Sequence, residues 1–350
     1  KYLNFYPDDI GYYKRFVFKI SFLGPVIFFF ILKEKYKVDK IKLAFISSIL
    51  LLSPYYRTSS YWGLEENYGL IFLLLTYLTI LKSKKNFYYL TNNKKKFIKI
   101  FLICFLSSLT FYFDQKLIII PILSLFFIFK NFKNNELKNS IIIYSILSIP
   151  YIYFMFIWGG IVPPAAFNRT FKFNWENLGY MTTIIGFYLL PFLIFKDNLK
   201  KNLKKFFFNK INLFLLLILI IYLVYFYNSF DSFNRYSHGN GVIHKLIELQ
   251  FENIQIIKIL TLVSIFLFSL IILFFFISLH DRLIILFFLV TSVLMTPIYQ
   301  EYLDPLMFLL IFTFFKEKIN ISNNFLALLF FYFSIFIVSC NFYYKTSLFY

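Results

Sequence analysis

A chain of 350 residues with 60% hydrophobic side chains and a mean hydropathy of +0.70 is too apolar to fold around one water-soluble core, so it is read as a membrane protein. The net charge of +19 does not point to nucleic acid, because the basic residues lie in short clusters between apolar runs. Two cysteines, Cys104 and Cys340, both in apolar segments, exclude a disulfide framework and zinc-ligand spacing.

In chain order, apolar runs fall at about 16–32, 41–54, 69–81, 97–111, 117–129, 140–157, 180–195, 211–227, 256–279, 283–298, 305–315 and 323–341. They are continuously apolar rather than alternating, which predicts helices and not barrel strands. The expected fold class is all-α, a polytopic transmembrane bundle of about 12 spans forming a single integral membrane domain over residues 1–350. Several runs are short, so tilted or re-entrant segments are expected among them. The chain starts at Lys1 rather than Met and shows no signal peptide, so a first helix and a first external loop are expected upstream of it.

Alternate loops differ sharply in charge. One set carries the lysines from Lys33 to Lys42, Lys82 to Lys99, Lys130 to Lys138 and Lys196 to Lys210, and then Arg282, Lys316 and Lys318. The other carries only Arg57, Lys116, Arg169, Lys172, Arg235 and Lys245. By the positive-inside rule the first set is cytoplasmic and the second external. Nearly all the varied polar chemistry lies in the external set, which suggests one external site. A transporter would more often place such groups mid-membrane, in broken helices.

Taken along the chain, the segment YPDDIGYYKR puts Asp8 and Asp9 just ahead of the first span, as candidate acid/base groups or simply as solvated charges. The segment SPYYRTSSYWGLEENYG, residues 53–69, holds Arg57, Glu65 and Glu66 at a membrane edge, where unpaired charges are costly and therefore functional candidates. Here Pro54 is expected to end the incoming helix and Gly63 to permit a turn. Glu65 and Glu66 then sit near a helix start, either for the dipole or to orient or deprotonate a sugar hydroxyl, while Arg57 suits a phosphate. In FYFDQK, residues 111–116, Asp114 and Lys116 are read as a local ion pair, with a phosphate contact by Lys116 as the alternative.

The loop WGGIVPPAAFNRTFKFNW, residues 158–175, contains Arg169, a further candidate phosphate contact, between two interfacial tryptophans. The long stretch 228–255 holds His238 and His244, whose spacing fits no common zinc pair; it is read as a polar loop or a flap over a substrate. Finally TPIYQEYLDPLMFLL, residues 296–310, offers Tyr299, Glu301 and Tyr302 as a surface for a sugar, through aromatic stacking and hydroxyl acceptors.

Three of these places carry a resemblance to the GT-C membrane glycosyltransferases, closest to the branch of protein O-mannosyltransferases and bacterial lipopolysaccharide-core transferases. Arg15 resembles the arginine that opens a helix in such enzymes; residues 53–69 resemble their segment with a proline and an arginine; residues 296–310 resemble their late external segment leading into a final helix. The likeness covers most of the chain. It departs in the acidic pair expected in a first external loop, which only Asp8-Asp9 resembles, and in Glu301-Tyr302 standing where an Arg-Tyr is usual.

What the resemblance implies is an inverting hexosyl transfer from a polyprenyl-phosphate sugar, of the dolichyl or undecaprenyl type, to a lipid-, glycan- or protein-linked acceptor. Asp8, Asp9, Glu65 and Glu66 are then the catalytic candidates, and Arg57, Lys116, Arg169, Tyr299, Glu301 and Tyr302 the substrate or phosphate contacts. No cofactor is expected, a divalent metal is compatible but not indicated, and the partners are the donor, the acceptor and the bilayer, with no nucleic acid. The expected location is a bacterial inner membrane with the active face periplasmic, or else the lumenal face of the endoplasmic reticulum. An O-antigen polymerase or ligase type of protein is the alternative, and then a transporter.

Overall fold

The structure, a computed structural model, describes residues 10–86, 93–132, 134–160, 164, 173–175, 177–194, 204, 208–210, 213–214, 217, 221, 241–251, 254–276, 279–294, 298–316 and 319–347. The described residues are mostly helical, with no strand among them. Six helices among them are long and apolar enough to cross a membrane: Gly11–Lys35, Lys94–Phe113, Asn135–Trp158, Asn177–Ile194, Ile256–Leu273 and Asn323–Phe342. A seventh is counted if the bent pair Pro54–Trp62 and Glu66–Ser83 forms one span. The described part of the chain is all-α, with the helices of an integral membrane protein.

The count is smaller than the twelve apolar runs, and length explains much of the difference. Lys40–Ile49, Ile119–Asn131 and Leu306–Phe312 have 10, 13 and 7 residues. At about 1.5 Å rise per residue none of them crosses a hydrocarbon core of about 30 Å alone. The run at 211–227 falls largely outside the described residues.

The chain divides into two compact units, Lys1–Ala165 with Phe312–Phe314, and Ala166–Ile311 with Phe315–Tyr350. Unit 1 contains α1 (Ile10–Ser21), α2 (Leu23–Lys35), α3 (Lys40–Ile49), α4 (Pro54–Trp62), α5 (Glu66–Asn86), α6 (Asn93–Phe113), α7 (Ile119–Asn131) and α8 (Asn134–Trp158). Its core packs Ile80, Ile100, Ile103, Cys104, Ile128 and Ile143, drawn from α5 to α8. Phe113 closes that seam by stacking on Phe72 at 5.4 Å between ring centroids. Helix α8 leaves Ile142, Ile146, Ile149 and Ile157 exposed, a stripe that suits lipid rather than water. At the far end of α2 the Lys35 ammonium donates to the carbonyls of Phe312 (3.0 Å) and Thr313 (2.7 Å).

Unit 2 contains α9 (Asn177–Ile194), α10 (Val242–Gln250), α11 (Gln255–Phe276), α12 (Leu279–Ser292), α13 (Leu306–Phe312, whose last residue belongs to unit 1) and α14 (Asn323–Ser347). Helix α9 is buried along nearly its whole length and packs against α11, α12 and α14. Two glycines allow the close approach to α11: a Cβ at Gly186 would meet the Ser269 Cβ at 2.7 Å, and one at Gly179 would strike the Phe266 ring. Small residues at such a crossing are how apolar helices gain van der Waals contact in lipid.

Candidate functional site

The Ser53–Gly69 segment is only partly a loop. Ser53 caps a helix by accepting the Tyr56 N–H at 3.0 Å, and Pro54 occupies the first helical position. The incoming helical segment stops at Leu52, just before Pro54 as expected, and Pro54 also opens α4. Proline lacks an N–H, which costs nothing where that group has no partner within the helix. Gly63 does supply the turn, as expected: it stops α4 in the left-handed conformation at φ 73°. The chain then bends by 120° into the helix that starts at Glu66.

Buried side chains fix that bend. The Tyr56 hydroxyl donates to the Ser21 carbonyl of α1. The Asn67 amide donates to Ser21 Oγ at 3.0 Å and to Ser60 Oγ at 2.8 Å. Ser21, Tyr56, Ser60 and Asn67 are all buried, so one hydrogen-bonded polar knot ties α1, α4 and α5 together, with the Asn67 Oδ1 left without a partner in it.

On the other side of α5 the carboxylates meet the turn after α6. Glu66 is the first residue of α5, half-buried, and Glu65 just before it is exposed. One turn further on, Gly69 lies directly against Asp114, Leu117 and the Thr110 carbonyl. That approach brings Glu66 close enough to Asp114 to raise its affinity for a proton. Asp114 is itself only 9% exposed. Burial above all, with the Glu66 charge adding to it, pushes the Asp114 carboxyl up to about 6, while Lys116 pulls it back.

Lys116 is held from two directions. Its Nζ lies 3.6 Å from Asp114 Oδ2 and 5.1 Å from the centre of the Tyr55 ring on α4. Its backbone N–H donates to Asp114 Oδ1 at 3.0 Å, which closes the turn Gln115–Ile118. The local ion pair expected from FYFDQK is thus present. Beside it, Lys14 of α1 folds over the Trp62 ring at 4.8 Å and against Gly63. Arg57 is exposed on α4, and Arg15 on α1.

Unit 1 therefore gathers Glu66, Asp114 and Lys116 into one cluster, with Glu65 and the Arg57-bearing helix beside it. Two carboxylates with different burial and one cation can hold, pass or accept a proton. Asp114 entered the sequence reading only as the partner of Lys116. The signal for more was Gly69, three residues after Glu66, because a glycine inside a helix often marks close approach of another backbone.

Unit 2 carries the second group of candidates. Tyr299 and Tyr302 pack edge to face at 5.5 Å around the short turn Gln300–Tyr302, with Glu301 half-buried between them. Gln300 fixes this turn: its amide donates to the Tyr188 hydroxyl at 3.2 Å and its carbonyl accepts the Val242 N–H at 3.2 Å. His244, expected in a polar loop, sits instead in helix α10 and is buried, 3.0 Å from the Thr183 hydroxyl and edge-on to Tyr180. Burial pushes its imidazole down to about 3, with the Lys245 charge adding to the shift. Among the described residues no group of three His, Cys, Asp or Glu could hold a metal ion.

Asp8, Asp9, Arg169 and His238 lie outside the described residues. Compared with known proteins, the chain matches no family model, no curated protein and no solved structure.

Proposed function

We propose that this chain is a membrane glycosyltransferase, moving a sugar from a polyprenyl-phosphate donor to a hydroxyl of a lipid-, glycan- or protein-linked acceptor. The observation that carries the reading is the approach of Glu66 to the buried Asp114 beside Lys116. In this reading the acceptor hydroxyl attacks the anomeric carbon and gives its proton to Glu66. The bond from that carbon to the phosphate oxygen breaks, and polyprenyl phosphate leaves with the electron pair. Lys116, with its Nζ 3.6 Å from Asp114 Oδ2, offsets the negative charge that the two carboxylates bring together.

Charge grows on the leaving phosphate, so a preorganised cation there lowers the barrier. Lys116 has its charge largely met by Asp114, so the exposed Arg57 takes the main phosphate contact. The Tyr299–Tyr302 ring pair beside Glu301 suits a sugar surface in its own right. In this reading the site works at the membrane edge, where a lipid-linked donor presents its phosphate, and on the external face expected from the loop charges.

The test is transfer of a labelled sugar from undecaprenyl-phosphate donors by the purified chain in liposomes. Glu66→Gln should lower the turnover rate by about a hundredfold or more, as expected when a general base is removed. Wild-type turnover in that variant, or no transfer by the wild type from any polyprenyl-phosphate sugar, would overturn the reading.

A further inference from the structure

We propose that helix α4 lies in the headgroup layer of the bilayer and is held there by phospholipid headgroups against Arg57, Tyr61 and Trp62. The inference concerns the placement of the helix and does not depend on the glycosyltransferase reading. Three observations carry it.

The first is the division of the helix into faces. Tyr56, Ser59 and Ser60 are buried, at positions three and four residues apart, and Tyr56 and Ser60 join the polar knot with α1 and α5. The opposite face is open: Arg57 and Thr58 are exposed, Tyr61 is 70% exposed and Trp62 55%. The second is direction. Helix α4 meets the apolar helix Glu66–Ser83 at 120°, so when that helix crosses the bilayer α4 runs off to the side. With 9 residues it spans only about 14 Å, too short to cross alone.

The third is the match between the open face and one layer of the membrane. Tyrosine and tryptophan prefer the headgroup level, where an apolar ring and a polar edge are both accommodated. The rings of Tyr61 and Trp62 touch edge to face at 5.7 Å, so they form one patch. Arg57, four residues before Tyr61, adds a cation to the same side, and a lipid phosphate is its natural counter-charge. Deeper burial would leave that arginine in hydrocarbon at a cost of several kcal/mol. Full exposure to water would leave two large rings uncovered.

The experiment uses the full chain in phosphatidylcholine–phosphatidylglycerol vesicles and reads tryptophan fluorescence with quenchers at three depths. Subtracting the emission of Trp62→Phe isolates Trp62 from the other two tryptophans. The expected result is strongest loss of the Trp62 emission with bromine near the headgroup end of the acyl chain, and little loss with aqueous acrylamide. Strongest quenching by acrylamide would place the helix in water; strongest quenching by bromine near the methyl end would make it re-entrant. Either result overturns the proposal. Should Trp62→Phe fail to insert, Tyr61→Cys labelled with bimane reads the same depths, because the native Cys104 and Cys340 are buried from the label.

Discussion

Gly69 lies against Asp114 with no room for a side chain. A Cβ there would stand 3.3 Å from the Asp114 Cβ, 3.3 Å from the Thr110 carbonyl oxygen and 2.9 Å from a Leu117 methyl. Backbone and a packed leucine cannot all yield, so Gly69→Ala should push α5 away from the turn and separate Glu66 from Asp114. Overpacking of this kind costs about 1–3 kcal/mol. A lowered melting temperature, with transfer lost well below that temperature, is expected in thermal unfolding and liposome assays. Unchanged melting and unchanged transfer would show that the close approach is not needed.

The Asp114 carboxyl predicts a stability change with pH of a definite sign. Its folded value, about 6, lies above the ordinary 3.8. The folded chain therefore binds the proton more tightly than the unfolded one, and the stability from this group is complete below 3.8 and lost as pH rises through about 6. Asp114→Asn keeps an oxygen for the Lys116 N–H and removes the titration. The melting temperature of the variant should gain on the wild type between those values and hold its lead at neutral pH. A constant difference across the range would mean that Asp114 is not buried as described.

Arg57 and Glu66 should separate in kinetics. Arg57→Ala should raise KM for the donor by about ten- to a hundredfold, if one charge-assisted contact of about 1.5–3 kcal/mol is lost. Glu66→Gln should lower kcat with donor affinity retained, because the proton moves only in the chemical step. Titrating both variants with undecaprenyl phosphate, the donor without its sugar, checks the division. Equal binding by Arg57→Ala and wild type would remove Arg57 from the phosphate site.

How much of this was legible in the sequence differs from residue to residue. The stop at Gly63 and the placing of Glu65–Glu66 at a helix start rest on local backbone rules, and both are present. Pro54 obeys an equally local rule and serves both sides: the incoming segment stops before it, and α4 starts on it under the Ser53 cap, the half not expected from the sequence. The approach of Glu66 to Asp114 joins residues far apart in the chain; Gly69 signals a close neighbour for α5 but not which residue it is. The short runs at Lys40–Ile49 and Leu306–Phe312 show why apolar runs overcount spans. Hydropathy registers burial, and a helix buried in a bundle is as apolar as one that crosses the bilayer.

His244 shows the opposite pH behaviour to Asp114. Helix α10 carries its imidazole into unit 2 beside Thr183 and Tyr180, where burial holds it neutral down to about 3 against an ordinary 6.5. The unfolded chain then binds the extra proton in that window, so the stability from this group is present above 6.5 and lost as pH falls towards 3. His244→Gln removes the titration and leaves an amide that can still meet the Thr183 hydroxyl. At neutral pH the variant should be modestly less stable, through poorer packing against Tyr180. On acidification to about pH 4 it should lose less melting temperature than the wild type, and the two curves should approach or cross. Parallel curves would show that this histidine charges in place, and that the helix opens enough to let water reach it.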